Sequence, residues 1–285
     1  MERLHIHHVT RYDYARPVQL NRHRLVLRPR AGHDLRVEQF ELHIAPDHEV
    51  TWFRDVFGNS IAWVDFLQPA RQLAITADST VARRWPFPPG RLPEPHRVPY
   101  PVAYDTIELP IVTAYVRSSF PEDAAFVGDW TRSVLRIDAG DTEGSALALC
   151  QTIHQRIRYR RREERGVQTP TQTLTLGSGS CRDLATLFME AARGLQLGAR
   201  FASGYLHGSA SLAGRASTHA WTEIYLPALG WRGFDATLGA ATSLHHVVTG
   251  VSNHPRGVMP VSGTYVGDSR DFVAMDVHVS TEILA

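Results

Sequence analysis

The spacing of apolar residues changes across a proline-rich segment, and this change constrains the fold more than any other feature of the sequence. Before residue 85, apolar residues recur with a period near two in short runs, with no helical stretch between them. Beyond residue 110 they recur at helical spacing. The sequence therefore predicts two units of different class. The predicted N-terminal strands cover residues 4–9, 25–27, 37–44, 50–56, 61–66 and 73–81.

The proline-rich segment predicts a connector. Eight of the 17 prolines lie from Pro86 to Pro110. Proline at this density is incompatible with helix or central strand, and it favours extended chain. We therefore expect a β-domain at residues 1–84, a connector at 85–110 and a core at 111–285. Short strands at this spacing in the first unit favour an antiparallel sandwich.

The predicted core mixes helices with strands, so the expected fold class is α+β. Helical spacing of apolar residues predicts helices at residues 145–159 and 181–193, the second ending at Gly194. The arginines at 158–162 are typical of a solvated helix end, and an acidic-substrate patch is the alternative. Strands are predicted at residues 200–206, 218–226, 231–235, 264–266 and 272–279.

Charge and composition exclude several function classes. The formal net charge is +1, which argues against nucleic acid as the main partner. All 30 basic residues are arginine, so no lysine can serve as a base or form a Schiff base. No run of about 18 apolar residues predicts a membrane span, and neither a secretory leader nor a disulfide framework is indicated. We expect a cytoplasmic protein.

Cys181 is the strongest candidate nucleophile. A glycine- and serine-rich turn at residues 177–180 leads directly into the predicted helix that begins at Cys181. Unpaired N–H groups at a helix start favour a thiolate and could also hold an oxyanion. The second cysteine, Cys150, lies on a helical apolar face between Leu149 and Ile153, which is typical of a buried structural cysteine.

His219 and Asp235 lie on two predicted strands that a short turn connects. An antiparallel hairpin centred on Pro227, their midpoint in the sequence, places His219 directly opposite Asp235 on the same face. Their Cβ atoms would lie about 5 Å apart, within reach of an imidazole–carboxylate hydrogen bond. With Cys181, these residues match the nucleophile, base and orienting acid of thiol acyl transfer.

Four core motifs follow one another along the chain. They are Gly179-Ser180-Cys181-Arg182-Asp183-Leu184-Ala185, Ser203-Gly204-Tyr205-Leu206, Thr218-His219-Ala220-Trp221 and Gly230-Trp231-Arg232-Gly233-Phe234-Asp235. In this order they resemble the bacterial transglutaminase-like family, which is related to papain-like cysteine peptidases. The N-terminal stretch, with the segments 24–29 and 55–59, is similar to the β-rich N-terminal domain of the same proteins. The resemblance implies a transglutaminase-like core with a Cys181–His219–Asp235 triad.

Weaker candidates for substrate or oxyanion contacts surround the predicted triad. Gln168 lies upstream of the nucleophile and could donate to an oxyanion. His207, His245 and His246 could line the cleft. His5 and His7 share a strand face that could bind metal, but no ligand cluster accompanies them, so we expect neither metal nor cofactor. The candidate substrate or oxyanion residues are Gln168, Ser180, Trp221 and His246.

The expected function is a thiol-dependent hydrolase or acyltransferase acting on amide, peptide or isopeptide bonds of a peptide or protein substrate. Hydrolysis is favoured over amine transfer, because water needs no second substrate site. Two alternatives stay open, a true cross-linking transglutaminase and a non-catalytic peptide-binding module of the same fold.

Overall fold

The computed structural model describes residues 2–84, 97–162, 164, 166–210 and 217–284. Residues 85–96, the first half of the predicted connector, lie outside the described part of the chain. Its second half is described, and residues 97–108 form neither helix nor strand. The first helix begins at Leu109, so the last two residues of the predicted connector are helical.

Six strands precede the connector. Five of them include most of a predicted run, whereas the second shares only Leu25 with the run predicted at 25–27. The first is much longer than the predicted run at 4–9, because it pairs on one edge with the sixth strand and on the other with the C-terminal strand. The strands are β1 (Glu2–Leu20), β2 (His23–Leu25), β3 (Leu35–Ala45), β4 (His48–Arg54), β5 (Ser60–Phe66) and β6 (Ala70–Arg83).

The core contains five α-helices and a second set of strands in the described residues. The two predicted helices are present, shifted by a few residues or fewer, and three shorter ones were not predicted. The helices are α1 (Leu109–Val116), α2 (Ala124–Val134), α3 (Thr142–Arg156), α4 (Pro170–Leu176) and α5 (Cys181–Gly194). The strands are β7 (Arg158–Tyr159), β8 (Ser178–Gly179), β9 (Ala199–Leu206), β10 (Ser217–Leu226), β11 (Gly230–Asp235), β12 (Ala240–Ala241) and β13 (His246–Ser252).

The last three strands return to the N-terminal sheets. They are β14 (Val261–Ser262), β15 (Tyr265–Val266) and β16 (Phe272–Leu284). β16 pairs antiparallel with nearly the whole of β1, β15 pairs with the end of β1, and β14 pairs with β2. The boundary expected at residue 111 assigns residues 261–284 to the core, whereas the structure places them in the N-terminal sandwich.

Two antiparallel sheets build this sandwich. One has the order β15-β1-β6-β3, with β16 also paired to β1, and the other has the order β14-β2-β5-β4. Leu20, Leu73 and Ile75 from the first sheet pack with Leu25 and Val64 from the second, all almost completely buried. Each such side chain contributes about 1.5–3 kcal/mol through removal of apolar surface from water.

In the core, α5 packs on a five-stranded antiparallel sheet with the order β12-β11-β10-β9-β13. The Thr222 hydroxyl on β10 donates to the Ala185 carbonyl of α5 at 2.7 Å. The rings of Phe188 on α5 and Phe234 on β11 meet edge to face with centroids 5.9 Å apart. These contacts fix the start of α5 relative to the strands that carry His219 and Asp235. None of the helices in the described ranges is long and apolar enough to span a membrane.

The N-terminal region closes the outer edge of β13. The Asn59 side chain accepts from the Val251 N–H at 2.9 Å and donates to the Val251 carbonyl at 2.8 Å. The Arg30 N–H donates to the Val248 carbonyl at 2.8 Å. An edge strand otherwise exposes unpaired backbone groups, so these contacts make the sandwich a structural partner of the core sheet.

A buried histidine lies at this junction. His8 on β1 is 1% exposed, and its ring contacts the Tyr205 hydroxyl of β9 through Nδ1 at 2.9 Å and the Thr10 hydroxyl through Nε2 at 2.8 Å. Burial, with a smaller effect from His7, lowers the pKa of His8 to about 4. His8 is therefore neutral in the folded protein at neutral pH.

The lowered pKa of His8 predicts a specific loss of stability in acid. An unfolded histidine titrates near 6.5, so the contribution of His8 is present above pH 6.5 and falls as the pH drops toward 4. His8→Gln should reduce the loss of unfolding free energy between pH 7 and pH 4.5 by about 2 kcal/mol. Urea unfolding at the two pH values measures this loss.

The matched control is His43→Gln, because His43 is solvent-exposed on β3. It should leave the pH dependence of stability as in the parent protein. If His8→Gln and the parent lose equal stability over this range, His8 does not titrate as the burial implies.

Candidate active site

The start of α5 is held by its own capping residues. Ser180 is the N-cap, and Asp183 completes a capping box. Asp183 is fully buried, and its Oδ2 accepts from both the backbone N–H and the hydroxyl of Ser180 at 2.8 Å each. The Ser180 hydroxyl, expected as a substrate or oxyanion contact, is therefore engaged in capping. Because Ser180 is the N-cap, Cys181 is the first residue of the helix.

Asp183 also ties the preceding loop to this helix start. Its Oδ1 accepts from the Gln168 backbone N–H at 2.7 Å, and Arg162 Nε lies 3.4 Å from Oδ2. The last of the four arginines at 158–162 is thus paired inside the protein. Sequence reasoning did not assign Asp183 a role, although Ser-x-x-Asp before an apolar helix is itself a capping signal.

The two cysteines have opposite environments. Cys150 is fully buried on α3, and burial, assisted by the charge of Asp235, raises the pKa of its thiol well above the ordinary range. Cys181 is only partly buried. Its thiol hydrogen-bonds the ring of His219. Cys181 alone of the two therefore combines access to solvent with an adjacent base.

His219 connects the thiol to a buried carboxylate. His219 Nε2 lies 2.7 Å from Asp235 Oδ2, and both side chains are almost completely buried. Because Nε2 donates to the carboxylate, Nδ1 is the ring nitrogen left for the thiol. The structure therefore brings the predicted residues together in the order Cys181, His219, Asp235.

The hairpin register differs from the predicted one. Leu226 pairs with Gly230, so the turn is centred on Ala228 and not on Pro227. Ala228 adopts a left-handed conformation with φ of 65°. This register places Asp235 across from Trp221, diagonal to His219. An offset of two residues preserves the face on which each side chain lies, so the hydrogen bond between His219 and Asp235 still forms.

Asp235 accepts three hydrogen bonds. Oδ2 is shared by His219 Nε2 and by His246 Nε2, which lies 3.1 Å away, and Oδ1 accepts from the Thr237 N–H at 2.8 Å. His246, expected to line the substrate cleft, is instead buried behind the carboxylate. Trp221 is also buried, and its ring meets His246 edge to face with centroids 5.2 Å apart. Both side chains are thus enclosed by protein.

The electrostatics of the His219–Asp235 pair favour the charged forms of both residues. Burial alone lowers the pKa of His219, but the Asp235 charge and hydrogen bonds to Asp235 and Cys181 outweigh it, so the pKa is raised well above its ordinary value. Burial alone raises the pKa of Asp235, but the charge and hydrogen bond of His219, with help from His246, hold it well below the ordinary range. An imidazolium–carboxylate pair is the result.

The remaining candidates are Gln168, His207 and His245. The Gln168 side-chain oxygen accepts from the Thr173 hydroxyl at 3.1 Å and lies against Gly179, two residues before Cys181. His207 and His245 stack on each other in a partly exposed position near the ends of their strands, with ring centroids 5.3 Å apart.

A tyrosine beside the nucleophile was not identified from the sequence. Tyr159 on β7 pairs with Gly179 of β8 and is 41% exposed. Burial, followed by the charge of Cys181, raises the pKa of its hydroxyl. Tyr159 therefore belongs to the rim of the site. The pairing of β7 with β8 is too short to produce a period in the sequence, which is why the pattern gave no signal.

One group of side chains has the composition of a metal site. The nearest ligand atoms of His219, Asp235 and His246 lie within 4.8 Å of one another, so the three could share an ion. The separations of 2.7 and 3.1 Å from Asp235 Oδ2 are those of ordinary N–H···O hydrogen bonds. Hydrogen bonding therefore accounts for the short distances between these groups.

The other candidate metal ligands lie on the first strand. There, His5 and His7 both approach a single carboxylate, that of Asp78.

The contrast between the cysteines predicts selective alkylation. At neutral pH, iodoacetamide should modify Cys181 in the folded protein at least tenfold faster than Cys150, because the Cys150 thiol is buried and held protonated. Peptide mapping by mass spectrometry after timed labelling measures both rates. In denaturant the two rates should converge. Similar rates for the two cysteines in the folded protein would contradict the assignment of Cys181 as the accessible thiol.

Comparisons with known proteins agree with this architecture. The chain is 27% identical over 304 residues to uncharacterized proteins of Mycobacterium tuberculosis and Mycobacterium bovis, covering 97% of this chain and 91% of each relative. A structure of a candidate cysteine protease from Cytophaga hutchinsonii superposes with a TM-score of 0.76 at 16% identity, covering 98% of this chain and 90% of the other. That likeness establishes a shared fold.

Two family models divide the chain much as the fold does. Residues 4–82 match the bacterial transglutaminase-like N-terminal region, and residues 129–236 match the core of the transglutaminase-like superfamily. The second match begins in α2 and ends one residue after Asp235, so it includes all three residues of the Cys–His–Asp arrangement. The chain therefore carries a transglutaminase-like core at residues 129–236, preceded by a bacterial transglutaminase-like N-terminal region at residues 4–82.

Proposed function

We propose that the protein is a thiol-dependent hydrolase of amide or peptide bonds, with Cys181 as nucleophile, His219 as base and Asp235 as orienting acid. The observation that carries the proposal is the continuous hydrogen-bonded array from a partly exposed thiol through His219 to the buried Asp235. A buried carboxylate that positions a histidine against a thiol is costly to maintain, and it matches the requirements of acyl transfer.

The first half of the reaction would form an acyl-enzyme. His219 holds the proton of the Cys181 thiol, and the sulfur attacks the carbonyl carbon of the substrate. As the tetrahedral intermediate collapses, the C–N bond breaks and His219 delivers the proton to the leaving amine. Asp235 keeps Nε2 of His219 protonated, so that Nδ1 faces the sulfur throughout.

In the proposed mechanism, two groups would stabilise the oxyanion. The backbone N–H of Cys181 lies in the first turn of α5, where an N–H has no acceptor within the helix. The Gln168 side-chain oxygen lies beside Gly179 in the adjoining loop, and the amide nitrogen of the same side chain would be the second donor. The position of this loop is fixed by Asp183, which accepts from the Gln168 N–H.

The second half of the reaction would release the acyl group to water. His219 would take a proton from water, the oxygen would attack the thioester carbonyl, and the C–S bond would break to return the thiol. Transfer to an amine, as in a cross-linking transglutaminase, follows the same steps but needs a second substrate site. We favour hydrolysis because it uses only the site described above.

A peptide-binding module of the same fold is the alternative from another class. A binding surface needs shape and hydrogen-bond donors, but it does not need a thiol aligned with a charged histidine pair. The measurement that separates the two is turnover. A binding module would retain affinity for a peptide amide and release no amine, in both the parent and its Cys181→Ala variant.

Substitutions in the Cys181–His219–Asp235 array should change the activity in a characteristic pattern. Cys181→Ala should abolish covalent turnover, because the chain has no lysine and its other thiol is buried. Asp235→Asn should lower kcat by up to about 10⁴-fold if the histidine tautomer is reversed, the effect known for the equivalent change in a serine protease. The double variant should be no worse than Cys181→Ala, because the residues act as a unit.

Amine release from a library of peptide amides is the assay. Cys150→Ala, the matched thiol control, should keep parental kcat in protein that remains folded. Activity above a few per cent in Cys181→Ala, in a preparation free of contaminating enzyme, would place the chemistry elsewhere.

A further inference from the structure

His246 has no role in the mechanism above, yet it contacts the buried acid directly. It is 3% exposed, and its Nδ1 accepts from the Ser243 backbone N–H at 3.1 Å. Because Nδ1 acts as an acceptor, the ring proton resides on Nε2, which donates to Asp235 Oδ2. The backbone of a turn therefore sets the tautomer of this histidine.

Burial favours the neutral form of this second histidine. It lowers the pKa of His246, and the hydrogen bond and charge of Asp235 oppose the effect only in part. A neutral imidazole can donate to the carboxylate without competing with His219 as a second charge. The two histidines that share Oδ2 thus differ in electrostatic character, and only His219 contacts the thiol.

The hydrogen bond from His246 restricts the orientation of the Asp235 carboxylate. Donors reach it from His219, from His246 and from the Thr237 backbone. With both oxygens engaged, the carboxylate cannot rotate about its terminal bond without breaking a hydrogen bond in a buried site, which costs about 1–3 kcal/mol. The His246 ring is itself held by the edge-to-face contact with Trp221.

An arginine from the N-terminal sandwich holds the turn that carries His246. Arg83, the last residue of β6, directs Nη1 toward three backbone carbonyls, those of Ser243 at 3.1 Å, Leu244 at 2.5 Å and His246 at 2.5 Å. Arg83 is 9% exposed, and burial lowers the pKa of its guanidinium. The nearest carboxylate, Asp34, is 3.9 Å away. The turn carbonyls are thus the principal partners of this buried cation.

The strand that follows the turn is fitted closely to its neighbour. A side chain at Gly204 of β9 would place its Cβ 2.0 Å from the Val247 carbonyl, so glycine is needed for this approach. His246 therefore has little freedom to move away from Asp235. The same strand, β13, receives the contacts from Arg30 and Asn59 on its outer edge.

We propose that His246 is a positioning residue for the Asp235–His219 pair, and that Arg83 makes its placement depend on the N-terminal sandwich. The inference rests on the proposed function for its effect on turnover. It assigns the N-terminal region a part in the working site, through the path Arg83, the turn at residues 243–246, His246 and Asp235.

The test compares two substitutions of His246, one that removes the N–H donor to Asp235 and one that restores a donor. His246→Phe keeps the packing against Trp221 and removes the N–H, whereas His246→Gln can donate from a similar position. His246→Phe should lower kcat about 10- to 100-fold, the range known for outer-shell partners of metal sites, with KM changed less than about twofold. His246→Gln should recover most of kcat.

Arg83→Met extends the test to the sandwich. It should lower kcat less than His246→Phe, and the double variant should be within about twofold of His246→Phe, because both act through the same turn. The control is Arg22→Met, which removes a bidentate Arg22–Asp65 pair within the sandwich and should leave kcat unchanged. Circular dichroism and thermal melting establish which variants are folded, and kcat is compared only among those.

Alkylation of Cys181 by iodoacetamide provides a readout that needs no substrate. Its rate at neutral pH should fall several-fold in His246→Phe and be restored in His246→Gln, because the rate depends on how His219 is placed against the thiol. Equal alkylation rates and equal kcat in the parent and His246→Phe would overturn the proposal, even with Cys181-dependent turnover intact. Altered alkylation with no Cys181-dependent turnover would support the positioning role and reject the proposed hydrolase.

Discussion

The burial of Asp235 is the constraint on which the rest of the site depends. An ionised carboxylate with no access to water is strongly unfavourable unless donors compensate it, and here three donors from different segments converge on its two oxygens. Each donor requires a particular piece of structure. His219 needs the β10–β11 hairpin, Thr237 needs the turn after β11, and His246 needs the turn before β13. The charged state of His219 in turn depends on the carboxylate, and His219 alone links it to the thiol.

The placement of His246 next to Asp235 also depends on contacts between the two halves of the chain. β13 is an edge strand of the core sheet, and the N-terminal region provides the partners for its open backbone groups through Arg30 and Asn59. Arg83 does the same for the turn before it. The chain also returns from the core to add β16 to β1. The sandwich is thus physically continuous with the strand that carries His246.

Sequence reasoning succeeded where the determining interactions are local. Alternation located β1, β5 and β6 because one face of each is buried, and the glycine-rich turn before an amphipathic helix placed Cys181 at a helix start. The hairpin was predicted with a centre one residue too early, because nothing in the sequence indicated the left-handed conformation of Ala228. The contact between His219 and Asp235 survived that error, since a two-residue offset keeps the faces. The contact of His246 with Asp235 and the pairing of β16 with β1 could not be predicted, because neither leaves a periodic pattern in the sequence.

The proposed mechanism requires that Cys181 carries a covalent acyl group during turnover. Mass spectrometry of the protein after rapid mixing with a peptide-amide library and quenching in acid, followed by peptide mapping, detects this group. We expect a mass increase equal to the acyl portion of a peptide, located on the peptide that contains Cys181 and absent from the Cys181→Ala variant. Amine release with an acyl group on another residue, or with equal turnover in Cys181→Ala, would contradict it.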